Sequence, residues 1–212
     1  DDLYVNSQLS LVGMAVGDQF ITAMQASYTA SPGGNSFLWA HGKDNSTASM
    51  LGFYITSGEV PGFYHRAKGQ TTTGVTDPLT ASASTFTTLK NQGTFNLVAS
   101  IRPVSATEVD IELQASNGTQ ACTYTASAID VLQAANSGTE LPGVSGGITM
   151  ANFVGLGIGG RNGASTFGNC WGRGTNTGRI GGFAARKFVT YDADRVSDTI
   201  ASMLARPGEF PR

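Results

Sequence analysis

The amino-acid sequence predicts an all-β sandwich of two antiparallel sheets with a short C-terminal helix. The 212 residues include 28 Gly, 19 Ser and 24 Thr, a third of the chain, whereas charged residues make up only 13%. About a dozen short strand-like segments are separated by turn signals, which is typical of sandwiches and jelly rolls. The spacing of apolar residues becomes helical only near the C-terminus.

The same composition excludes several classes of protein. Long helical arrays need more Glu, Lys, Leu and Ala. Disordered chains need few aromatic residues and a high net charge, whereas here aromatic residues make up 9% and the net charge is −2. This charge provides no basic field for nucleic acid, and no apolar run approaches a membrane span. We therefore expect no nucleic-acid partner and no membrane insertion.

The strands follow from apolar alternation and from turn signals. Ser31–Asn35 is a strong turn signal, and Asn117-Gly118 indicates a hairpin between the strands that flank it. The predicted strands are Gln19–Tyr28, Ser36–Ala40, Leu51–Thr56, Phe63–Ala67, Phe95–Ile101, Glu108–Leu113, Ala121–Thr125, Phe153–Gly159 and Arg179–Tyr191.

The remaining segments are a loop-rich stretch and a helical tail. Gln70–Thr88 is rich in Thr and Ser and is expected to be part long loop and part edge strand, with Thr87–Lys90 as a short further piece. Ile129–Ala135 is expected to form one or two helical turns. Asp194–Arg206 has helical spacing and is followed by Pro207, with Asp192 or Asp194 as the expected N-cap. No repeat or linker divides the chain, so we expect a single domain over residues 1–212.

Two motifs and their order resemble a known family. Residues 96–102 read Asn-Leu-Val-Ala-Ser-Ile-Arg and precede the strand–Asn-Gly hairpin, and residues 178–183 read Gly-Arg-Ile-Gly-Gly-Phe and precede the helix. Over Gln19–Ala205 this order resembles the concanavalin A-like lectin/glucanase jelly roll, in its laminin-G-like or pentraxin-like branch. The resemblance implies a sugar-binding, adhesive or structural role. The composition also resembles that of phage virion proteins on fibres, spikes and capsid surfaces.

The segment Glu108-Val109-Asp110-Ile111-Glu112 is the sharpest local chemical signal. Alternation in a strand places the three carboxylates on one face and the two apolar side chains on the other. The pattern resembles the catalytic strand of the laminarinase/lichenase glycoside hydrolases. That resemblance would make Glu108 the nucleophile, Asp110 the helper and Glu112 the acid/base of a retaining enzyme.

Two observations favour a simpler interpretation of this strand. The residues after Glu112 depart from the pattern of those hydrolases, and no aromatic residue lies within ten positions before Glu108. In the laminin-G-like register the segment is an ordinary strand with an apolar core face and a solvated acidic face. We favour this interpretation and keep the hydrolase as the alternative.

Two further clusters are candidates for binding a ligand or another subunit. Trp171 and Arg173 lie among glycines, where the Trp could stack on a sugar ring or instead fill a loop. Tyr64, His65 and Arg66 form a polar–aromatic cluster with similar potential, or an ordinary strand.

No cofactor is expected, with calcium as the one metal left open. His41 and His65 share no metal-ligand spacing, and the Gly155–Gly160 match to a dinucleotide motif opens no helix. Calcium could take oxygen ligands from scattered loops. Its candidate ligands are Asp44, Asp77, Asp192 and Asp194.

The two cysteines, Cys122 and Cys170, are either two free thiols or one disulfide bridge.

The sequence therefore favours a non-catalytic recognition or structural module. We expect it on a virion or extracellular surface, as a capsid decoration or tail-fibre protein in a homo-oligomer, bound to surface glycan or to neighbouring subunits. The alternative is a retaining β-glucanase-like hydrolase that uses Glu108 and Glu112. No leader segment is visible, but the numbering begins at Asp1, so a removed leader stays open.

Overall fold

The structure, a computed structural model, describes residues 4–5, 15–28, 36–42, 50–56, 59–66, 75–78, 83–105, 108–130, 156–158, 161–162, 167–168 and 178–207. The strands are β1 (Tyr4–Val5), β2 (Gln19–Tyr28), β3 (Ser36–Gly42), β4 (Met50–Ile55), β5 (Pro61–Arg66), β6 (Val75–Pro78), β7 (Phe95–Pro103), β8 (Glu108–Ser116), β9 (Ala121–Asp130), β10 (Leu156–Ile158), β11 (Arg161–Asn162), β12 (Phe167–Gly168) and β13 (Gly178–Phe188). The helices are α1 (Ala83–Asn91) and α2 (Arg195–Ala205).

Two antiparallel sheets form the jelly-roll sandwich, which confirms the predicted fold class. One sheet has the order β13-β2-β7-β8-β9 and the other the order β1-β10-β3-β4-β5-β6. Phe20 of the five-stranded sheet meets Trp39 of the six-stranded sheet edge to face, with ring centroids 6.0 Å apart. Both rings belong to one core that draws apolar side chains from both sheets, so burial of these faces holds the layers together. The short pair β11–β12 forms a third, two-stranded sheet.

Strand β6, at the edge of the six-stranded sheet, confirms the edge strand expected within residues 70–88, whereas the helix α1 replaces the loop expected from Ala83 and the short piece expected at Thr87–Lys90. Ser and Thr have modest helix propensity, so the segment gave little local sign of a helix. Phe86 and Leu89, three positions apart on the helix, are both fully buried. The Phe86 ring lies 5.6 Å from that of Phe95 and 6.5 Å from that of Tyr124. Tertiary packing of one apolar face therefore stabilises the helix.

Strand β9 continues to Asp130, so the helical turn expected from Ile129 does not begin there. The partner β8 shows the alternation predicted for it, with Val109, Ile111 and Leu113 buried and the intervening side chains half-buried. The rest of the expected turn, residues 131–135, lies outside the described residues.

Helix α2 confirms the predicted C-terminal helix and packs on the five-stranded sheet. Its buried Val196, Ile200 and Met203 lie against the sheet face that is turned away from the six-stranded sheet, which we call the outer face. Asp194 occupies the N-cap position, but its side chain makes no capping hydrogen bond. Neither described helix is long and apolar enough to cross a membrane.

Candidate functional site

Cross-strand rows of polar side chains cover the part of the outer face beside α2. In the antiparallel register Arg102 of β7 pairs with Asp110 of β8, and Ser100 pairs with Glu112. Glu112 in turn pairs with Thr125 of β9. Paired residues share a face of the sheet, so these side chains stand side by side on the outer face.

These rows form the floor of a polar cavity of about 290 Å³, which we call the outer-face pocket. The 189–194 loop, which joins β13 to α2, contributes its aromatic wall. The lining residues are Ser100, Arg102, Asp110, Ile111, Glu112, Thr125, Ser127 and Tyr191. The pocket thus combines a guanidinium, two carboxylates, three aliphatic hydroxyls and one aromatic ring.

Asp110 is held in place by two partners. Its carboxylate forms an ion pair with Arg102 and accepts a hydrogen bond of 2.9 Å from the backbone N–H of Ala128. The β8–β9 register shifts here, so that Ser127 and Ala128 both lie opposite Asp110 in a β-bulge. Ala128 has a φ of 54°, a left-handed conformation uncommon outside glycine. Asp110 therefore satisfies a donor that the bulge removes from the ladder.

Tyr191 closes one side of the pocket. The guanidinium carbon of Arg102 lies 3.9 Å from the centroid of the Tyr191 ring, in a cation–π arrangement. Because 43% of Tyr191 is exposed, the ring also presents apolar surface to solvent. The geometry leaves an aromatic ring that a flat apolar ligand face can contact.

The buried side chain of Gln19 ties the 189–194 loop to the sheet. Its amide nitrogen donates to the hydroxyl of Ser100 at 3.1 Å and to the carbonyl of Asp192 at 3.2 Å. Its amide oxygen accepts from the backbone N–H of Asp192 at 3.3 Å and from the guanidinium of Arg195. Gln19 is 1% exposed, so this amide is a rigid support one residue away from Tyr191.

Glu112 differs from Asp110 because its carboxylate has no hydrogen bond or ion pair with any residue that the structure describes. Partial burial raises the pKa of Glu112 above its ordinary value of 4.5. Desolvation is the cause, because removing water disfavours the charged form. The pocket thus holds one acceptor group that a ligand can satisfy.

The structure does not bring all three carboxylates of the hydrolase alternative into the pocket. Asp110 and Glu112 line it, but Glu108 does not. Glu108 stands at the first position of β8, where its backbone N–H donates to the hydroxyl of Ser105 at 3.0 Å and its carboxylate accepts from that hydroxyl at 3.3 Å. Glu108 is therefore bound to Ser105 at the start of β8 and does not contribute to the pocket.

Tyr64 and His65 do not form the exposed cluster considered from the sequence. Adjacent strand residues point to opposite faces. Tyr64 is 6% exposed and its ring lies 5.7 Å from that of Phe37, whereas His65 is 1% exposed and stacks on Phe63 at 5.8 Å. Both rings are thus enclosed by protein.

Several other predicted positions fall outside the described residues. They are Trp171, Arg173, Cys170, Asp44 and the side chains of Arg66, His41 and Asp77. These assignments stay predictions.

Cys122 is a free thiol, and burial raises its pKa.

Within the described ranges, no three His, Cys, Asp or Glu side chains form a group that could hold a metal ion. The Asp192 carboxylate accepts from the backbone N–H of Asp194 at 3.0 Å and lies 3.7 Å from Arg195. The Asp192 carboxylate, one of the four considered for calcium, is therefore engaged by other groups of the protein.

Sequence reasoning missed Arg102, Tyr191 and Gln19. They lie in β7, in the 189–194 loop and in β2, so no local motif joins them. A partial signal exists, because Ser100 and Arg102 are two positions apart and must share a strand face. The register that sets them beside Glu112 is visible only in the folded chain.

No protein-family model matches the chain, and no curated protein matches it in sequence. Among solved structures, the leech intramolecular trans-sialidase complexed with 2,7-anhydro-Neu5Ac is similar, with a TM-score of 0.52 and 11% identity over 94% of this chain. The structure described as NanB plus Optactamide gives a TM-score of 0.50 and 11% identity over 94% of this chain. In both, the chain spans about a quarter of the other protein, 26%.

The CBM40 of the Ruminococcus gnavus IT-sialidase gives a TM-score of 0.48 at 13% identity, covering 87% of this chain and 84% of that one. At 11% identity, the two likenesses with TM-scores of 0.50 or more show the fold alone and leave the ligand to be argued from the site.

Proposed function

We propose that this protein is a non-catalytic recognition module that binds glycan in the outer-face pocket. The observation that carries the proposal is the Tyr191 ring, stacked on Arg102 and still 43% exposed, in one cavity with the Glu112 carboxylate, which has no partner among the described residues. Sugars present apolar C–H faces and a rim of hydroxyl groups. An aromatic surface combined with a few placed polar groups suits such a ligand.

The polar lining supports a ligand rich in hydroxyl groups. The Glu112 carboxylate accepts hydrogen bonds, whereas the hydroxyls of Ser100, Thr125 and Ser127 both donate and accept. Since a sugar hydroxyl also does both, neighbouring hydroxyls can satisfy this lining without bringing a charge. The cavity of about 290 Å³ suits a small ligand such as one or two sugar rings.

The same geometry favours binding over hydrolysis. A retaining glycosidase needs two carboxyl groups about 5–5.5 Å apart, one of them free to act as nucleophile. In the outer-face pocket Asp110 is engaged by Arg102 and by the Ala128 N–H, and Glu108 stands outside. Glu112 is left without a second free carboxylate among the pocket residues.

The setting that we propose is a virion or extracellular surface, as part of a capsid decoration or a tail fibre. The composition rich in Gly, Ser and Thr supports it. Like subunits in a homo-oligomer and a surface glycan are the proposed partners. We propose that no cofactor is needed, so that EDTA leaves sugar binding unchanged; a loss restored by calcium would show a metal requirement.

A glycan array followed by isothermal titration calorimetry tests the glycan proposal. We expect Tyr191→Ala to weaken affinity about twofold to twelvefold, because ring stacking contributes roughly 0.5–1.5 kcal/mol. Tyr191→Phe, which keeps the ring, retains most of the affinity. Glu112→Gln weakens binding, whereas Glu108→Gln, the matched change on the same strand face outside the pocket, does not. An array without any bound glycan would refute the proposal.

The hydrolase alternative has its own readout. If laminarin or mixed-linkage glucan is cleaved, and both Glu108→Gln and Glu112→Gln abolish cleavage, the protein is an enzyme of the alternative class. Cleavage that survives either substitution would exclude this pair as the catalytic residues.

A further inference from the structure

We propose that the outer-face pocket selects its sugar by charge, and that its preferred ligand is an amino sugar with a free ammonium group. The preference falls in the order amino sugar, neutral sugar, acidic sugar. This inference rests on the proposed glycan-binding function and names the ligand class of that site.

The charges in the pocket leave one negative group unbalanced. Arg102 and Asp110 form an ion pair, and Arg102 also lies against the Tyr191 ring. Asp110 is further bound by the Ala128 N–H. Among the residues that the structure describes, Glu112 has no such partner, so it carries the remaining charge of the lining.

The engagement of Arg102 matters most for acidic sugars. A carboxylated ligand needs a free guanidinium or ammonium that can bind it, often in a bidentate fork. Here Arg102 Nη2 already pairs with Asp110, whose carboxylate offsets the Arg102 charge in a partly buried ion pair, and an incoming carboxylate would also lie near Glu112. Both effects oppose binding of an acidic sugar.

An ammonium group meets the opposite situation. It is compact and has three donors, which suit the Glu112 carboxylate and the neighbouring hydroxyls of Ser100 and Thr125. Partial removal of water strengthens this attraction relative to that of an exposed pair. The Tyr191 ring contacts the sugar face in all three ligand classes and so contributes little to the choice among them.

The other charged groups on the described elements around the pocket do not cancel the Glu112 charge. Arg195 is held by Gln19 and by the carbonyl of Thr190, and lies beside the Asp192 carboxylate. Arg186 lies in the same cross-strand row as Glu112, but two strands, β2 and β7, separate their positions, roughly 14 Å at the usual strand spacing.

The experiment is an array that displays several hexose scaffolds, each in a neutral, a 2-amino and a carboxylated form, probed with the full chain near neutral pH. Hits are measured by calorimetry. We expect the amino form to bind at least about tenfold more tightly than the neutral form, and the carboxylated form more weakly still. In Glu112→Gln the amino and neutral forms should bind equally, whereas Glu108→Gln should keep the preference.

The outcomes separate the inference from the function on which it rests. Equal affinity for amino and neutral forms, or tighter binding of the carboxylated form, overturns the charge selection and leaves glycan binding intact. A preference that persists in Glu112→Gln also overturns it. If none of the three forms binds on any scaffold, the proposed function itself fails.

Discussion

Replacing Gln19 by leucine should destabilise the protein and loosen the pocket, although Gln19 does not line it. The substitution keeps a similar volume and removes an amide that is 1% exposed. Four hydrogen bonds are lost: two that the amide nitrogen donates, to Ser100 and Asp192, and two that the amide oxygen accepts, from Asp192 and Arg195.

The size of the effect follows from these partners. A neutral hydrogen bond contributes about 0.5–1.5 kcal/mol net, and one from a charged donor about 1.5–3 kcal/mol. The full sum is not reached, because Asp192 is exposed and water can replace part of its bonding, and Arg195 retains the carbonyl of Thr190. We therefore expect a loss of about 2–4 kcal/mol, a large part of the roughly 5–15 kcal/mol typical of a folded domain.

Equilibrium urea unfolding measures this loss. With a slope of roughly 2–3 kcal/mol per molar urea, the midpoint should fall by about 0.7–2 M. Gln25→Leu is the matched control, because Gln25 lies on the same face of β2 and, among the described residues, its side chain makes one long hydrogen bond of 3.5 Å, to Asn96. Gln25→Leu should lose less than about 1 kcal/mol.

Sugar binding gives an independent readout of the same substitution. If Gln19 supports the 189–194 loop, Gln19→Leu should displace Tyr191 and weaken sugar binding. This loss should be seen without urea, where most of the protein is still folded. Equal midpoints for the Gln19 and Gln25 variants would refute the role of the amide as a support.

Three further predictions concern packing and pH. Gly62→Ala should cost about 1–3 kcal/mol in urea unfolding, because the added Cβ would lie 2.5 Å from the buried Tyr54 ring; an unchanged midpoint would contradict this contact. Ile200→Ala should cost about 2–4 kcal/mol, because it leaves a cavity between α2 and the sheet; a loss below about 1 kcal/mol would mean that the helix is weakly docked. Glu112→Gln should raise the urea midpoint at pH 7 but not near pH 3: a carboxyl with a raised pKa in the folded state stabilises the fold only while protonated and loses that contribution as pH rises. A lower midpoint for this variant at pH 7 would contradict desolvation as the cause.

The partial burial of the Glu112 carboxylate connects the stability of the fold with ligand binding. The half-buried Glu112 carboxylate, which no described residue pairs, is unfavourable for folding, whereas in the same cavity Asp110 has two partners. Binding sites commonly retain such groups, because the ligand supplies the missing partner. A more stable Glu112→Gln variant with weaker binding would show this exchange directly.

Local patterns along the chain determined much of the fold. Alternation in β8 placed the Glu108, Asp110 and Glu112 side chains on one face, and helical spacing located α2, because both periods are properties of a single continuous segment. The order of strand and turn signals in the sequence was sufficient to predict the sandwich class.

Tertiary structure decided the helix α1 and the composition of the pocket. Helix α1 forms where Phe86 and Leu89 pack into the core. The Thr-rich sequence of this segment does not predict that contact. The pocket depends on the register that sets Arg102 beside Asp110, on the bulge at Ala128 and on the Gln19 amide that holds Tyr191 in place. These contacts join residues far apart in the chain, and a periodic pattern within one segment specifies a face but not its partner.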